Sequence, residues 1–294
     1  MLSSIVHPFM MLGKRALIAI SGPRQRVGWR LPNASHTAKV RDNASSFSQR
    51  HQSTLIEIRE DCLKPESVAE YQKATARTAA LRQADLPLRF FSYPETGGPL
   101  HMATHAYYYQ GGHEERLARS SALEKEHAWQ SHVAACGSFI RTQTSTLYVE
   151  ASSVVNDFPG VQGLSSTTRA TGEIKSSEEK SPATGCILEL RRYKLQLGYD
   201  TVPRFLEYYQ TGLSSKLDTL DSTTSLVSVV YTDVGPLNHV MEIWRHGGGF
   251  AAMEASRVNA RAAPAWKTAI GKIASLAVDF TTTIHRPTHF SPIR

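Results

Sequence analysis

The spacing of apolar residues divides the second half of the chain into short strands and amphipathic helices. Residues 187–195 alternate apolar and polar side chains, which predicts a β-strand. Residues 202–220 repeat apolar side chains every three or four positions, which predicts a helix with Pro203 in its first turn. The same criteria predict strands over 226–231, 237–245 and 276–285 and helices over 250–259 and 265–273. The predicted order is therefore β-α-β-β-α-β.

The first half of the chain repeats this order. Four short motifs occur in the same order in both halves. They are LIEIR at 55–59 and ILELR at 187–191, GPL at 98–100 and 235–237, GG at 111–112 and 248–249, and HAW at 127–129 and PAW at 264–266. First-half elements are predicted over 55–63, 66–84, 87–93, 100–110, 113–134 and 138–150. We therefore predict an α+β fold of two tandem ferredoxin-like domains with antiparallel sheets.

Two segments lie outside the repeats and set the domain boundaries. Residues 152–184 contain a run rich in Ser, Thr, Gly, Glu and Lys with few large apolar side chains, which predicts a flexible linker. Residues 1–53 are rich in Arg and Ser, and their first acidic residue is Asp42. The predicted domains are then 54–151 and 185–294.

The net charge of +7 is confined to the N-terminal segment. Residues 1–50 hold eight basic residues and one acidic residue, which accounts for the whole excess and leaves the remaining chain neutral. A nucleic-acid-binding domain needs a basic excess against phosphates, so we expect no nucleic-acid partner. A basic, amphipathic start is typical of a mitochondrial presequence, with a secretory signal or a disordered basic tail as alternatives. We predict mitochondrial localisation, with the matrix favoured.

Other bulk features exclude several classes of protein. No apolar run reaches the roughly 18 residues that a membrane-spanning helix needs, so we expect no transmembrane segment. The three cysteines, Cys62, Cys136 and Cys186, form no C-x-x-C pair, which argues against a disulfide framework and a thiolate zinc site. His101 and His105 are separated by about 13 Å along an extended strand, too far to share a metal without further ligands. We therefore predict no metal site.

The first strand of each predicted domain carries charges on one face. In the second domain, Glu189, Arg191 and Tyr193 alternate with Leu188 and Leu190. We assign the leucine face to the helices. The amphipathic face then packs against another sheet around a partly polar centre, either within one chain or between two chains.

The second half resembles the NIPSNAP family. The resemblance rests on ELRRY at 189–193 followed by Gly198, on GPLN at 235–238 followed by Val240, Ile243 and Trp244, and on Arg257 and Trp266. It covers 186–294 well and 55–150 less well, because Asp61 replaces the opening Tyr and Tyr107 replaces the third-strand Trp. The resemblance implies a dimeric α/β-barrel architecture, mitochondrial residence, and roles in interaction, trafficking and mitophagy signalling.

The candidate site is a polar pocket inside the barrel. Its predicted ligand-binding residues are Glu189, Arg191, Tyr193, His239, Glu242 and Trp244. A functional interpretation makes the Glu a base and the Arg an anion clamp, while a structural one makes them charge pairs that join two sheets. The Glu57 and Arg59 pair allows the same alternatives. We favour the structural interpretation, and we assign no catalytic residue and no cofactor.

The sequence thus favours a non-enzymatic mitochondrial interaction or scaffold protein, with protein partners and self-association. The alternative is a small-molecule-binding α/β-barrel enzyme, such as a cofactor-independent monooxygenase or a haem binder. A haem binder needs an axial histidine, for which His239 is the candidate. A monooxygenase needs a buried apolar cavity with a few polar groups. The shared superfold does not choose among these functions.

Overall fold

The computed structural model describes residues 54–165 and 185–294. The predicted presequence and most of the predicted linker lie outside the described residues. The first half contains β1 Leu55–Leu63, α1 Val68–Arg77, α2 Ala79–Ala84, β2 Leu88–Thr96, β3 Met102–Tyr109, α3 Gly112–Leu123, α4 His127–Gly137, β4 Ile140–Glu150 and α5 Ser152–Val155. The second half contains β5 Ile187–Leu195, α6 Thr201–Leu217, β6 Thr224–Val234, β7 His239–His246, α7 Gly249–Ala262, α8 Pro264–Ala274 and β8 Ala277–Pro287.

All eight strands join one closed antiparallel barrel. The strand order is β1-β3-β2-β8-β5-β7-β6-β4, and β4 pairs with β1 to close the barrel. Among the described strands, none therefore has an unpaired edge. Strand β2 pairs with β8, and β4 pairs with β6, which joins the two halves at two seams. The predicted antiparallel α/β architecture is confirmed. The halves contribute to a single barrel, so their sheets meet within one chain, which is one of the two arrangements that the sequence left open.

The start of the predicted linker belongs to the folded barrel. Residues 152–155 form α5, and the Leu164 backbone N–H donates a hydrogen bond to Glu150 Oε1 at 2.6 Å. Val154 and Leu164 are fully buried. The boundary predicted at residue 152 is therefore too early, because these apolar side chains cover the end of β4. Across the described ranges 54–165 and 185–294, no helix combines the length and the apolar character that crossing a membrane requires.

The part of the barrel interior around Leu188 and Leu190 is apolar, and this reverses the predicted assignment of the two strand faces. Leu188 and Leu190 pack inside the barrel against Ile56, Phe90 and Ile243. The interior of an eight-stranded barrel is only wide enough for side chains from opposite strands to meet, so it favours aliphatic residues. The sequence did not distinguish the faces, because each carries charges.

Glu189, Arg191 and Tyr193 instead face the helices that surround the barrel. Tyr193 packs on Phe205 of α6, with ring centroids 5.1 Å apart. Arg257 of α7 reaches Glu189 at 2.7 Å. The charged face of β5 therefore lies between the sheet and the outer helices, where cations from neighbouring elements balance its carboxylate.

Helices α6 and α8 approach each other closely at a glycine. A Cβ atom on Gly212 would lie 2.6 Å from the Ala269 Cβ and 3.0 Å from the Ala265 carbonyl oxygen. Tyr209, one turn earlier in α6, meets Trp266 of α8 edge to face, with ring centroids 5.2 Å apart. This close contact fixes Trp266 over the sheet and forms one wall of the site described next.

Candidate functional site

A large cavity lies between the sheet of the second half and its outer helices. Its volume is about 1080 Å³, and β5, β7, β8, α6, α7 and α8 all contribute to its lining. Four of the six residues predicted from sequence line it: Glu189, Arg191, Tyr193 and Trp244. The cavity therefore forms where the polar face of β5 meets the helices, outside the barrel centre where it was predicted.

Glu189 is the centre of a buried group of charges. Arg257 binds its Oε1 at 2.7 Å, Arg191 Nε lies 3.4 Å away, and His246 Nε2 lies 3.0 Å from Oε2. Burial alone raises the pKa of the Glu189 carboxyl. The hydrogen bond from His246 and the charges of Arg191 and Arg257 outweigh burial and lower the pKa to about 2. Glu189 is therefore a permanent carboxylate that holds three side chains in place.

Glu242 forms a second buried carboxylate behind the lining residues. It is fully buried, Tyr193 donates to Oε1 at 2.6 Å, and the Trp244 indole N–H donates to Oε2 at 2.5 Å. Arg191 Nη1 lies 3.7 Å from Oε2. Burial raises the pKa of Glu242, and the charges of Arg191 and Lys216 lower it below its usual value. The Glu242 carboxylate orients both aromatic side chains at the base of the cavity.

Lys216 places its amine at the base of the same cavity. Its side chain is 5% exposed, and Nζ lies 3.6 Å from the Trp244 ring centroid and 4.5 Å from the Trp266 ring centroid. The nearest carboxylate oxygen is Glu242 Oε2, at 3.8 Å. Burial lowers the pKa of Lys216, the charge of Arg191 lowers it further, and Glu242 opposes both. The resulting pKa of about 7 leaves a large neutral fraction of the amine at physiological pH.

Sequence reasoning missed Lys216, although the sequence carries a signal for it. Lys216 follows Tyr209 by seven positions, so it continues the apolar stripe of α6 that Phe205 and Tyr209 begin. A cation on the buried stripe of a helix needs a special environment, since lysine is rarely buried without a partner. That environment comes from Trp244 and Trp266, which are distant in sequence.

His239 does not join the site. It is the first residue of β7, and alternation along the strand places it on the opposite face from Glu242 and Trp244. No histidine of the described ranges lines the cavity. The lining therefore supplies no histidine as an axial ligand to a haem, and His239, which was predicted as part of this site, lies outside the cavity.

The corresponding face of the first half is filled by a connected polar network. Asp61 accepts hydrogen bonds from Tyr71 and from Gln143, and His105 Nε2 lies 3.3 Å from it. His105 Nδ1 lies 2.8 Å from the Tyr107 hydroxyl. Burial lowers the pKa of His105, and Asp61 opposes that change.

Glu57 is balanced in the same half of the barrel. Arg59 and Arg116 bind it at 2.9 Å and 2.7 Å. The Glu57 and Arg59 pair is thus satisfied by neighbouring protein groups. Within the described ranges, no group of three or more His, Cys, Asp or Glu side chains is arranged to hold a metal ion.

Comparison with solved structures identifies proteins of the same fold. A putative monooxygenase from Lactobacillus acidophilus NCFM is 8% identical with a TM-score of 0.53, over 80% of this chain and 94% of that chain. A putative monooxygenase from Fusobacterium nucleatum subsp. nucleatum is 10% identical with a TM-score of 0.54, over 81% of this chain and 93% of that chain. At these identities the similarity establishes the fold and leaves function open.

Comparison of sequences identifies the family of the second half. No curated protein sequence matches the chain. A NIPSNAP family protein from Agrobacterium tumefaciens str. C58 is 24% identical over 37% of this chain and 92% of that chain, with a TM-score of 0.34. The NIPSNAP family model matches residues 188–292, the range that contains β5 to β8 and the whole lining of the cavity. Residues 188–292 of this chain are therefore a NIPSNAP domain.

Proposed function

We propose that the cavity of the NIPSNAP domain binds a small amphipathic molecule that carries an anionic group. The charges of the lining support this proposal. The cavity is lined by four permanent cations, by the titratable amine of Lys216 and by two carboxylates; the cations are Arg191, Arg257, Arg261 and Lys267, and the carboxylates are Glu189 and Asp279. Glu189 is already engaged by Arg257, Arg191 and His246. The remaining positive charge favours an anion over a neutral or cationic ligand.

The apolar part of the lining defines the rest of the ligand. Trp244, Trp266, Ile270, Ile273 and Phe280 contribute apolar side chains to the same lining. Ligand cavities of proteins typically combine such walls with a few fixed polar groups. A ring system or a short acyl chain attached to a carboxylate, sulfonate or phosphate matches both parts of the lining.

This proposal favours the small-molecule-binding alternative over the scaffold prediction. The observation that carries it is the built cavity, whose polar groups are held by buried Glu189 and Glu242. The similarity to putative monooxygenases agrees with a ligand-binding barrel. A scaffold role, residence in the mitochondrial matrix and a tandem-domain origin of the two halves remain predictions from the sequence.

The proposal is tested by binding of a matched pair of probes to the full chain. The anionic probe is 2-naphthoate, and its neutral counterpart is 2-naphthalenemethanol. Isothermal titration calorimetry at low salt measures both affinities. We expect the carboxylate to bind at least about tenfold more tightly, because one favourable ionic contact in a partly buried site contributes roughly 1–2 kcal/mol.

Two cavity cations provide the variant for this test. Arg261 and Lys267 are exposed and line the cavity outside the buried charge group, so the double variant Arg261→Gln, Lys267→Gln is expected to fold. We expect it to reduce the preference for 2-naphthoate several-fold. Lys272→Gln removes an exposed cation from α8 outside the cavity and is expected to leave the preference unchanged. Equal binding of both probes, or no binding of either, contradicts the proposal.

A further inference from the structure

Lys216 combines two properties that the other cavity cations do not share. Its side chain is 5% exposed, and Nζ forms no hydrogen bond with any residue of the described chain. Arg257 and Arg191 are engaged by carboxylates. Arg261 and Lys267 are exposed to solvent. Lys216 is therefore a buried amine at the base of the cavity that forms no hydrogen bond with the described chain, and its nearest carboxylate oxygen, Glu242 Oε2, lies 3.8 Å away.

Two aromatic rings fix the position of this amine. Nζ lies above the Trp244 and Trp266 rings, at 3.6 Å and 4.5 Å from their centroids. Trp244 is itself held by its hydrogen bond to Glu242. Trp266 is held by the close packing of α8 on Gly212. The amine is thus positioned in the cavity by packing and requires no hydrogen-bond acceptor there.

We propose that Lys216 is a nucleophile that forms an imine with the carbonyl group of an anionic aldehyde or ketone bound in this cavity. This inference rests on the proposed function, since it names the class of ligand and its reaction. The amine nitrogen forms a bond to the carbonyl carbon, and the carbonyl oxygen receives the proton that the nitrogen releases. The carbon–oxygen bond then breaks, and the oxygen leaves as water with a second proton from nitrogen. The products are an imine and one water molecule.

The surroundings of Lys216 favour the reactive form of the amine. Burial lowers its pKa to about 7, and Arg191 and Arg257 contribute in the same direction against Glu242 and Glu189. At pH 7 about half of such an amine is neutral, against roughly one in 2,500 for a lysine of ordinary pKa. Burial beside other cations is an established way to activate a lysine as a nucleophile.

Glu242 remains available as a partner for the departing protons. Tyr193 and Trp244 donate hydrogen bonds to this carboxylate, and Arg191 lies 3.7 Å from it, so three partners besides Lys216 stabilise its charge. Its Oε2 atom is 3.8 Å from the Lys216 amine. The carboxylate therefore retains its position and charge when the amine becomes neutral, and it lies beside the nitrogen that reacts.

The inference is tested by reductive trapping on the full chain. The probe is 6-formyl-2-naphthoate with sodium cyanoborohydride at pH 7, and peptide mapping by mass spectrometry measures the initial rate at each lysine. The trapped product is a secondary amine. Its mass exceeds that of the unlabelled lysine peptide by the mass of the aldehyde plus two hydrogen atoms minus one water molecule. We expect labelling of Lys216 at least about tenfold faster than that of exposed Lys267, in proportion to its larger neutral fraction and allowing for its lower basicity.

Variants and the non-reactive probe separate this inference from the proposed function. Lys216→Arg retains the positive charge and should abolish the fast label, whereas Lys272→Arg, outside the cavity, should leave it unchanged. The comparison of Lys216 with Lys267 within the unaltered chain stands even if Lys216→Arg fails to fold. Equal labelling of these two lysines with retained 2-naphthoate binding overturns the imine and leaves the binding proposal intact. Loss of 2-naphthoate binding as well overturns both.

Discussion

Arg82 holds in the first half of the barrel the position that Lys216 holds in the second. The Arg82 guanidinium lies 5.0 Å from the Trp129 ring, and Nη1 donates to the Tyr107 hydroxyl at 2.5 Å. Tyr107 and Trp129 correspond to Trp244 and Trp266 in the internal repeat. A guanidinium stays protonated in proteins. The first half therefore carries a permanent cation where the second half carries a titratable amine.

Arg82→Lys tests how far the first-half network depends on the guanidinium. Arg82 binds both the Tyr107 hydroxyl and His132 Nε2, and a lysine cannot span the two partners in the same way. We expect the free energy of unfolding to fall by about 1–3 kcal/mol, since buried polar groups lose their partners. Urea denaturation measures the change. Arg77→Lys, at an exposed position of α1, should change it by less than about 0.5 kcal/mol.

Lys216→Met should stabilise the protein in a way that depends on pH. The folded pKa of about 7 lies below the ordinary lysine value of 10.5, so the unfolded chain binds more protons between these values. The stability of the unaltered protein therefore rises with pH across that window. We expect the advantage of the Met variant to be largest near pH 6 and to shrink by up to about 1.4 kcal/mol per pH unit above pH 7.

The measurement is urea denaturation of both proteins at several pH values from 6 to 9.5. Lys267→Met removes an exposed positive charge from the same cavity and serves as the baseline for the loss of one charge. A constant difference between the Lys216→Met variant and the unaltered protein over this window would show that the amine is fully protonated in the folded state, contrary to this expectation.

Glu189→Gln should destabilise the domain by about 2–4 kcal/mol, because it leaves partly buried arginines without their carboxylate. Arg191 and Arg257 lose the carboxylate that lies within 3.4 Å and 2.7 Å of their side chains. Denaturation at pH 7 measures the loss. Glu70→Gln, at an exposed pair with Lys73, is the control and should cost less than about 0.5 kcal/mol.

The contribution of Glu189 should also disappear in acid. Its pKa in the folded protein is about 2, below the ordinary glutamate value of 4.5. The stabilisation is therefore complete above pH 4.5 and is lost as the pH falls through the folded value. The difference between Glu189→Gln and the unaltered chain should narrow between pH 4.5 and 2.5, and a difference that stays constant would contradict the assignment.

Two helical glycines should respond in opposite ways to the same substitution. Gly212→Ala places a Cβ atom 2.6 Å from the Ala269 Cβ, so α6 and α8 must separate, at a cost of about 1–3 kcal/mol. Gly271 is exposed in α8 and has no neighbour within 4 Å of the new Cβ. Gly271→Ala should stabilise the protein by about 0.5–1 kcal/mol through helix propensity. Thermal unfolding compares the two variants.

The strands were more predictable from the sequence than the helix boundaries. The strand predicted over 187–195 matches β5, because alternation and flanking turns act locally. The helix predicted over 113–134 is instead two helices, α3 and α4, separated at residues 124–126. The residues at the break, 124–126, are polar and exposed, so the chain turns there without losing apolar contacts. The spacing of apolar residues therefore did not mark the break.

The candidate site was only partly predictable for a related reason. Alternation grouped Glu189, Arg191 and Tyr193 on one face, and the structure keeps them together at the cavity. The choice between barrel interior and helix side depends on which elements close the barrel, which is a long-range property. Lys216 acquires its unusual surroundings from Trp244 and Trp266, and no local pattern links these residues.

The two seams of the barrel have a consequence for assembly. The pairings of β2 with β8 and of β4 with β6 join strands from different halves, and the same hydrogen bonds would form if the halves came from two chains. Covalent connection keeps the two halves at a high effective concentration, which favours closure within one molecule. Exchange of halves between molecules then requires both seams to open together. Reciprocal domain swapping should therefore appear only at high protein concentration or after partial unfolding.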